Sequence, residues 1–236
     1  MGAQQALEDA VGILGGSFNP VHMGHVKLAQ EIQARCAFDP LWIIPNRKPP
    51  HKQDFETDPT RRLEMVKLAF SEIPDTKIST FELDRQEPSY ALHTVEHIKS
   101  LNPGRPVYFV LGTDAFYDLP QWYEFATLIK SCSFLVVTRA GWEAADIDPK
   151  ESKLASCIEE LREEKLVKNA KPFGPFREVY QTSPSTQICI FEASLPEVSS
   201  TEIRLRLQLG VSIKGLVPDN VERYLKDSDL YGKEKA

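Results

Sequence analysis

The sequence predicts an α/β protein, a Rossmann-like doubly wound parallel sheet with C-terminal helices. Two patterns carry that expectation: short apolar runs alternate with longer segments of helical period, and the first run ends in a glycine pair that leads into a helix. With 236 residues, 42% of them hydrophobic, the chain can bury one sizeable core without disulfide or metal staples, so a single domain is expected across 1–236.

The strands are expected at Val11 to Leu14, Leu41 to Ile44, Lys77 to Phe81, Val107 to Leu111, Phe134 to Val137 and Ile188 to Phe191. Between the first two, Leu28, Ile32 and Cys36 recur at a helical interval. Between the second and third, Leu63, Val66, Phe70 and Ile73 do so again, after Asp58 and Pro59, a cap followed by proline in the first turn. A third helix begins near Ser89 and carries Val95, Ile98 and Leu101. From Trp142 to Ser185 the pattern loosens. A charged helical stretch, ESKLASCIEELREEKLVKNA, gives way to KPFGPF, whose prolines and glycine forbid continuation, so 142–185 reads as a long connection. Two helices close the chain, one after Ser199 and one opening at Pro218 with Val221, Tyr224 and Leu225 as its buried stripe.

A formal net charge of −6 argues against a protein that coats DNA, RNA or anionic membrane. Any phosphate site must then be a local concentration of positive charge. Cys36, Cys132, Cys157 and Cys189 form no C-x-x-C pair and read as small buried apolar residues in a reducing cytosol. Glu8 and Asp9 stand where a signal peptide would be basic and then apolar, and no stretch approaches the roughly 18 apolar residues of a membrane span. The expectation is a cytoplasmic protein with neither nucleic-acid nor membrane partner; homo-oligomerisation stays open.

The segment Gly15-Gly16-Ser17-Phe18-Asn19-Pro20-Val21-His22-Met23-Gly24-His25 follows the first strand and opens the first helix. There an α/β sheet binds phosphate, because backbone N–H groups of the turn and of the helix N-terminus point at the ligand. Gly15 and Gly16 lack Cβ atoms, so a triphosphate or ribose can touch the backbone. His22 and His25, three residues apart, fall on nearly the same side of the helix. Neither a Walker A loop nor G-x-G-x-x-G is present, and a simple turn with capping histidines is the structural alternative.

The string G-G-S-F-N-P-V-H-x-G-H resembles the signature of the nucleotidyltransferase superfamily and, more narrowly, that of bacterial nicotinate-nucleotide adenylyltransferases. Four later blocks extend the resemblance from about Val11 to Tyr231. The first is Ile44-Pro45-Asn46-Arg47-Lys48-Pro49-Pro50-His51-Lys52, a stiff basic loop that the resemblance places near the substrate phosphates. The second, Pro88-Ser89-Tyr90-Ala91-Leu92-His93-Thr94, matches a helix entrance near the nicotinate ring, with Ala91 where threonine is usual. His93 and His97, one turn apart, read as a solvated helix face and not as a zinc motif. The third joins Leu111-Gly112-Thr113-Asp114 to Leu119-Pro120-Gln121-Trp122-Tyr123, and Arg139 follows after the next strand. The fourth is Val198-Ser199-Ser200-Thr201-Glu202-Ile203-Arg204, where Ser199 and Glu202 have capping-box spacing.

The resemblance implies transfer of AMP from ATP to nicotinate mononucleotide, with Mg²⁺ held mainly by the substrate phosphates. It implies that His22, His25, Lys48, Lys52 and Arg204 serve the reacting phosphates. Gly15, Gly16, Ser17, Phe18, Gly112, Asp114, Arg139, Val198, Ser199 and Ser200 would contact ATP, and Tyr90, Ala91, Trp122 and Tyr123 the acceptor. Two alternatives stay open: an acceptor with an amide in place of the acid, or both, and a non-catalytic adenine-nucleotide sensor.

Overall fold

The structure is a computed structural model that describes residues 7, 9–47, 57–139 and 153–232. Among them, eight strands form one sheet in the order β3-β2-β1-β4-β5-β8-β7-β6. The first six in that order are β3 (Thr76–Ile78), β2 (Leu41–Pro45), β1 (Val11–Gly16), β4 (Val107–Gly112), β5 (Ser133–Arg139) and β8 (Gln187–Ala193), all parallel. β7 (Glu178–Gln181) and β6 (Lys168–Ala170) extend the sheet antiparallel. Helices cover both faces, as expected of a doubly wound fold.

Strand residues alternate between the two cores in period two. In β4, Tyr108 and Val110 face one core while Val107, Phe109 and Leu111 face the other. The first core takes α1 (Met23–Cys36) through Val26, Ala29 and Ile32, and α2 (Pro59–Phe70) through Met65 and Val66. It also takes α8 (Ser200–Leu209) through Ile203 and α9 (Asp219–Asp227) through Val221 and Leu225. α3 (Phe81–Asp84) is a single turn. The second core takes α4 (Ala91–Leu101) through Leu92, Val95 and Ile98, α6 (Phe125–Ser131) through Leu128 and Ile129, and α7 (Lys153–Glu163) through Leu154 and Ile158. α5 (Thr113–Tyr117) follows β4 directly.

Asp58 caps α2 as expected, accepting from the Thr60 amide at 2.9 Å with Pro59 in the first turn. All four cysteines are free and buried.

Four expectations are corrected. The third strand ends at Ile78, and Phe81 opens α3 instead of closing the strand. Leu101, placed on the buried stripe of its helix, ends α4 half-exposed because the stripe closes at Ile98. Among the described residues of 142–185, α7 is followed by the hairpin of β6 and β7, whose few alternating residues carry too weak a pattern to stand out in the sequence. His93 and His97 are not a solvated face: His97 stacks on Phe81 at 4.0 Å, and His93 packs edge-on against Tyr90 and Tyr123. No described helix is long and apolar enough to cross a membrane.

Candidate active site

Because the strand order reverses between β1 and β4, the connections leaving these two strands diverge and open a crevice above their carboxyl ends. Gly15 and Gly16 end β1 on one side of the crevice; Leu111 and Gly112 end β4 on the other. A cavity of about 480 Å³ lies there, walled by Gly15, Asn46, Glu82, Ser89 to Ala91, Phe109 to Gly112, Ala115 and Gln121 to Tyr123. Trp122 meets Phe109 edge-on at 6.0 Å, and Tyr90 stacks on Tyr123 at 4.4 Å. The result is an aromatic slot with polar groups at its margins, of a volume in the ordinary range for a small-molecule ligand.

Beside the slot, His22 is in extended conformation and precedes α1. Its backbone N–H donates to Nδ1 of His25 at 3.2 Å, and the two imidazoles stack with centroids 3.7 Å apart. Burial, and secondarily the charge of His22, hold the His25 pKa well below its ordinary value, so this ring is neutral near pH 7. A neutral imidazole that accepts at Nδ1 carries its proton on Nε2, which can then donate to a ligand. Gly24 makes the stack possible. A Cβ there would lie 3.0 Å from Cε1 and Nδ1 of His22 and 3.3 Å from Cγ1 of Val198.

Gly16 has a different reason from the one expected. A Cβ there would meet the Phe18 ring at 3.1 Å, so the glycine first makes room for a side chain of its own turn. Phe18 itself is buried, with its ring against His25 and Phe70. Its backbone is held at φ 47° within the turn. The N-terminus of α1 is also less open than expected, since the Met23 amide donates to Leu216 O at 2.9 Å.

The fourth block docks on the same turn. Ser199 caps α8 by accepting from the Glu202 amide at 3.1 Å. Ser200 Oγ donates to Pro20 O at 2.8 Å, and Arg204 donates through Nη1 to Asn19 O at 2.6 Å and through Nη2 to Thr201 Oγ1 at 3.3 Å. The strand-end loop, the imidazole pair, the α8 N-terminus and one guanidinium thus form one electropositive corner. Asp114 is exposed on the first turn of α5, between Gly112 and Ala115, which both line the cavity. Lys48 and Lys52 lie outside the described residues, as does the side chain of Arg139 at the end of β5.

The cytidylyltransferase-like family matches residues 13–206. A Pseudomonas entomophila protein named as a probable nicotinate-nucleotide adenylyltransferase is 35% identical over 222 residues, 94% of both chains. A Shewanella pealeana protein of the same name is 30% identical over 221 residues, 94% of this chain and 95% of that one. The chain belongs to the nicotinate-nucleotide adenylyltransferases of the cytidylyltransferase-like family. Among solved structures, the Plasmodium falciparum nicotinic acid mononucleotide adenylyltransferase complexed with NaAD shares the fold, with a TM-score of 0.64 at 20% identity over 94% of this chain and 97% of that one.

Sequence reading missed three residues of this candidate site. Arg62, fully buried in α2, donates to Ser17 O at 2.8 Å, Asn46 O at 2.7 Å and Arg47 O at 3.3 Å, tying the glycine turn to the start of the basic loop. Its signal was a charge on the same helical face as Met65 and Ala69. Glu82 lines the cavity and accepts from Thr94 Oγ1 at 2.6 Å; burial pushes its pKa up against the pull of Thr94 and Ser89. The apolar run before it, read as strand, hid it. Asn46 lines the cavity from within a quoted block, and its amide N–H pairs with Gly16 O at 3.0 Å.

Proposed function

We propose that the chain transfers AMP from ATP to nicotinate mononucleotide, giving deamido-NAD and pyrophosphate in NAD biosynthesis. The stacked imidazoles at the switch point, with the His25 ring accepting from the His22 backbone N–H, and the aromatic slot carry this reading: the first fits a phosphate chain and the second a pyridine ring. An oxygen of the acceptor's 5′-phosphate bonds to the α-phosphorus as the bond from that phosphorus to its bridging oxygen breaks. Pyrophosphate leaves with the electron pair. A phosphate monoester has its second pKa near ~6, so the nucleophile is already mostly dianionic and needs no general base.

What remains is to align two polyanions and to stabilise charge on the leaving group. Alignment is worth roughly 7 to 11 kcal/mol and each well-placed donor roughly 3 to 4 kcal/mol. His22 and His25 donate to the ATP phosphates, and Arg204 with the α8 N-terminus at Ser199 and Ser200 receives the leaving end. Lys48 and Lys52 neutralise charge. Gly15, Gly16, Ser17, Phe18, Gly112, Asp114, Arg139 and Val198 make up the ATP side through backbone and flanking contacts. Trp122, Tyr123 and Tyr90 hold the pyridine ring, with Ala91 at the start of α4 offering backbone N–H groups to its carboxylate.

The described residues include no group of three His, Cys, Asp or Glu side chains placed to hold an ion, and in the proposed reaction Mg²⁺ enters with ATP, on phosphate oxygens and water. We read the chain as one nucleotidyltransferase domain. The four free, buried cysteines support a cytoplasmic location.

A second reading, an amide acceptor, draws on one observation: Glu82 places a carboxyl group in the wall of the slot, where it would accept from a carboxamide and repel a carboxylate once ionised. A coupled pyrophosphate assay with ATP, Mg²⁺ and each acceptor in turn decides between them. The acid is expected to turn over at least tenfold faster at equal concentration; equal or reversed rates overturn the preference, and pyrophosphate release with neither acceptor overturns the reaction.

A further inference from the structure

The C-terminal segment after α9 reaches the glycine turn, and the assigned chemistry gives it nothing to do there. Tyr231 lies in the left-handed region at φ 66°, two residues after Asp229 at φ 48°. Neither is a glycine, and such backbone persists only where surrounding contacts over-determine it. The contacts are specific. The Tyr231 hydroxyl donates to Oδ1 of Asn19, in the turn between β1 and α1. Thr57, itself buried, hydrogen-bonds to the same phenol. Thr57 directly follows the stretch that carries Lys48 and Lys52 in the sequence. Asn19 is the residue whose carbonyl accepts from Arg204 at 2.6 Å. One phenol therefore joins the far end of the basic segment to the phosphate turn, at the residue that also anchors the arginine of α8.

The segment is fastened to the same side of the sheet from behind. Asn220 of α9 donates to Leu68 O of α2 at 2.8 Å, and Arg61 reaches Ser228 O at 3.5 Å. α2 is the helix whose Arg62 holds Ser17 O from below. Burial pushes the Tyr231 phenol up to about 12, so it stays a donor throughout the neutral range.

We propose that Tyr231 is a positioning residue for ATP: its hydroxyl latches the C-terminal segment onto Asn19 and sets the phosphate turn, and Arg204 with it, in the geometry that receives the triphosphate. The proposal rests on the assignment of that turn to ATP. It concerns the donor nucleotide alone, because none of its partners lines the acceptor slot.

The test is calorimetric binding of Mg²⁺ with a non-hydrolysable ATP analogue, and separately of nicotinate mononucleotide, to the full chain and to Tyr231→Phe, Asn19→Ala and the double variant. Tyr231→Phe keeps the ring and its packing, so the fold is retained. The expected result is a three- to tenfold loss of affinity for the ATP analogue, unchanged affinity for the mononucleotide, and a double variant no weaker than Asn19→Ala alone. Unchanged ATP affinity in Tyr231→Phe, an equal loss for both ligands, or losses that multiply in the double variant overturns the latch. Wild-type chain that binds the analogue but releases no pyrophosphate with any acceptor overturns the reaction and leaves the latch standing on its own result; wild-type chain that does not bind the analogue overturns both.

Discussion

The backbone N–H of His22 points into the Nδ1 lone pair of His25 at 3.2 Å, while their rings lie 3.7 Å apart and 22° from parallel. This pairing turns a helix start into a device with a defined tautomer: Nδ1 is occupied as an acceptor, so Nε2 of His25 is the donor. In the proposed reaction, removing His22 takes one donor from the ATP phosphates, and it leaves His25 without its stacking partner. His22→Ala is expected to lower turnover at least a hundredfold with circular dichroism and melting behaviour near normal, in line with the loss of one donor to developing charge. Near-normal turnover would remove the role assigned to the ring.

Gly24 sits between the two histidines for a steric reason. With Gly24→Ala, the new methyl at 3.0 Å from the His22 ring and 3.3 Å from Val198 displaces the imidazole or the start of α8. Turnover is expected to fall more than tenfold while stability changes by no more than about 1 kcal/mol, because an alanine within a helix is otherwise favourable. A larger loss of stability than of rate, read from paired melts and kinetics, would contradict it.

His25 also gives the ligand-free protein a pH signature. Its folded pKa is lowered by burial, so between that value and the ordinary 6.5 the unfolded chain binds more protons than the folded one. Stability therefore rises with pH across this window and levels off above 6.5, where the ring is neutral in both states. Replacing His25 with Asn is expected to flatten the slope below 6.5. Denaturant melts of the two proteins across that range measure it, and parallel curves would show that another group is responsible.

Glu82 behaves with the opposite sign. Burial raises its folded pKa, so between the ordinary carboxyl value and the raised one the folded state holds more protons, and stability is lost as pH rises through the folded pKa. Glu82→Gln removes that loss while retaining an acceptor for Thr94, so the variant is expected to melt higher than wild type at pH 8 and to match it at pH 4. Identical pH dependence in the two would mean that the carboxyl group is not desolvated in solution.

Arg62 is the test of what holds the two loops together. Its guanidinium serves the carbonyls of Ser17, Asn46 and Arg47, and Arg62→Met fills part of the volume but leaves these acceptors unpaired. A loss of about 3 kcal/mol is expected from denaturant unfolding, since hydrogen bonds to charged groups are individually worth roughly 1.5 to 3 kcal/mol and do not add fully. Less than 1 kcal/mol would show that the carbonyls find other partners.

Much of this molecule was legible in the sequence because its signals are local. The apolar run before the glycine pair marked β1, although the strand runs on through both glycines to Gly16 and does not stop at Leu14; Asp58 and Pro59 marked the start of α2, and the spacing of His22 and His25 placed both rings on one side of α1. What escaped was long-range. The carbonyl partners of Arg62 and the phenol of Tyr231 join residues up to 212 positions apart, and nothing in their immediate neighbours announces the pairing. The hairpin of β6 and β7 was hidden because three- and four-residue strands at a sheet edge need no continuous apolar run. Phe18 was read as part of a ligand turn, although the turn is shaped by burying its ring.

The most direct measurement is a crystal structure of the chain with Mg²⁺ and a non-hydrolysable ATP analogue. The triphosphate is expected above the β1 turn, with Nε2 of both His22 and His25 within hydrogen-bond reach of its oxygens and the α8 N-terminus facing its far end. A triphosphate bound elsewhere, with both imidazoles turned towards protein groups, would contradict it.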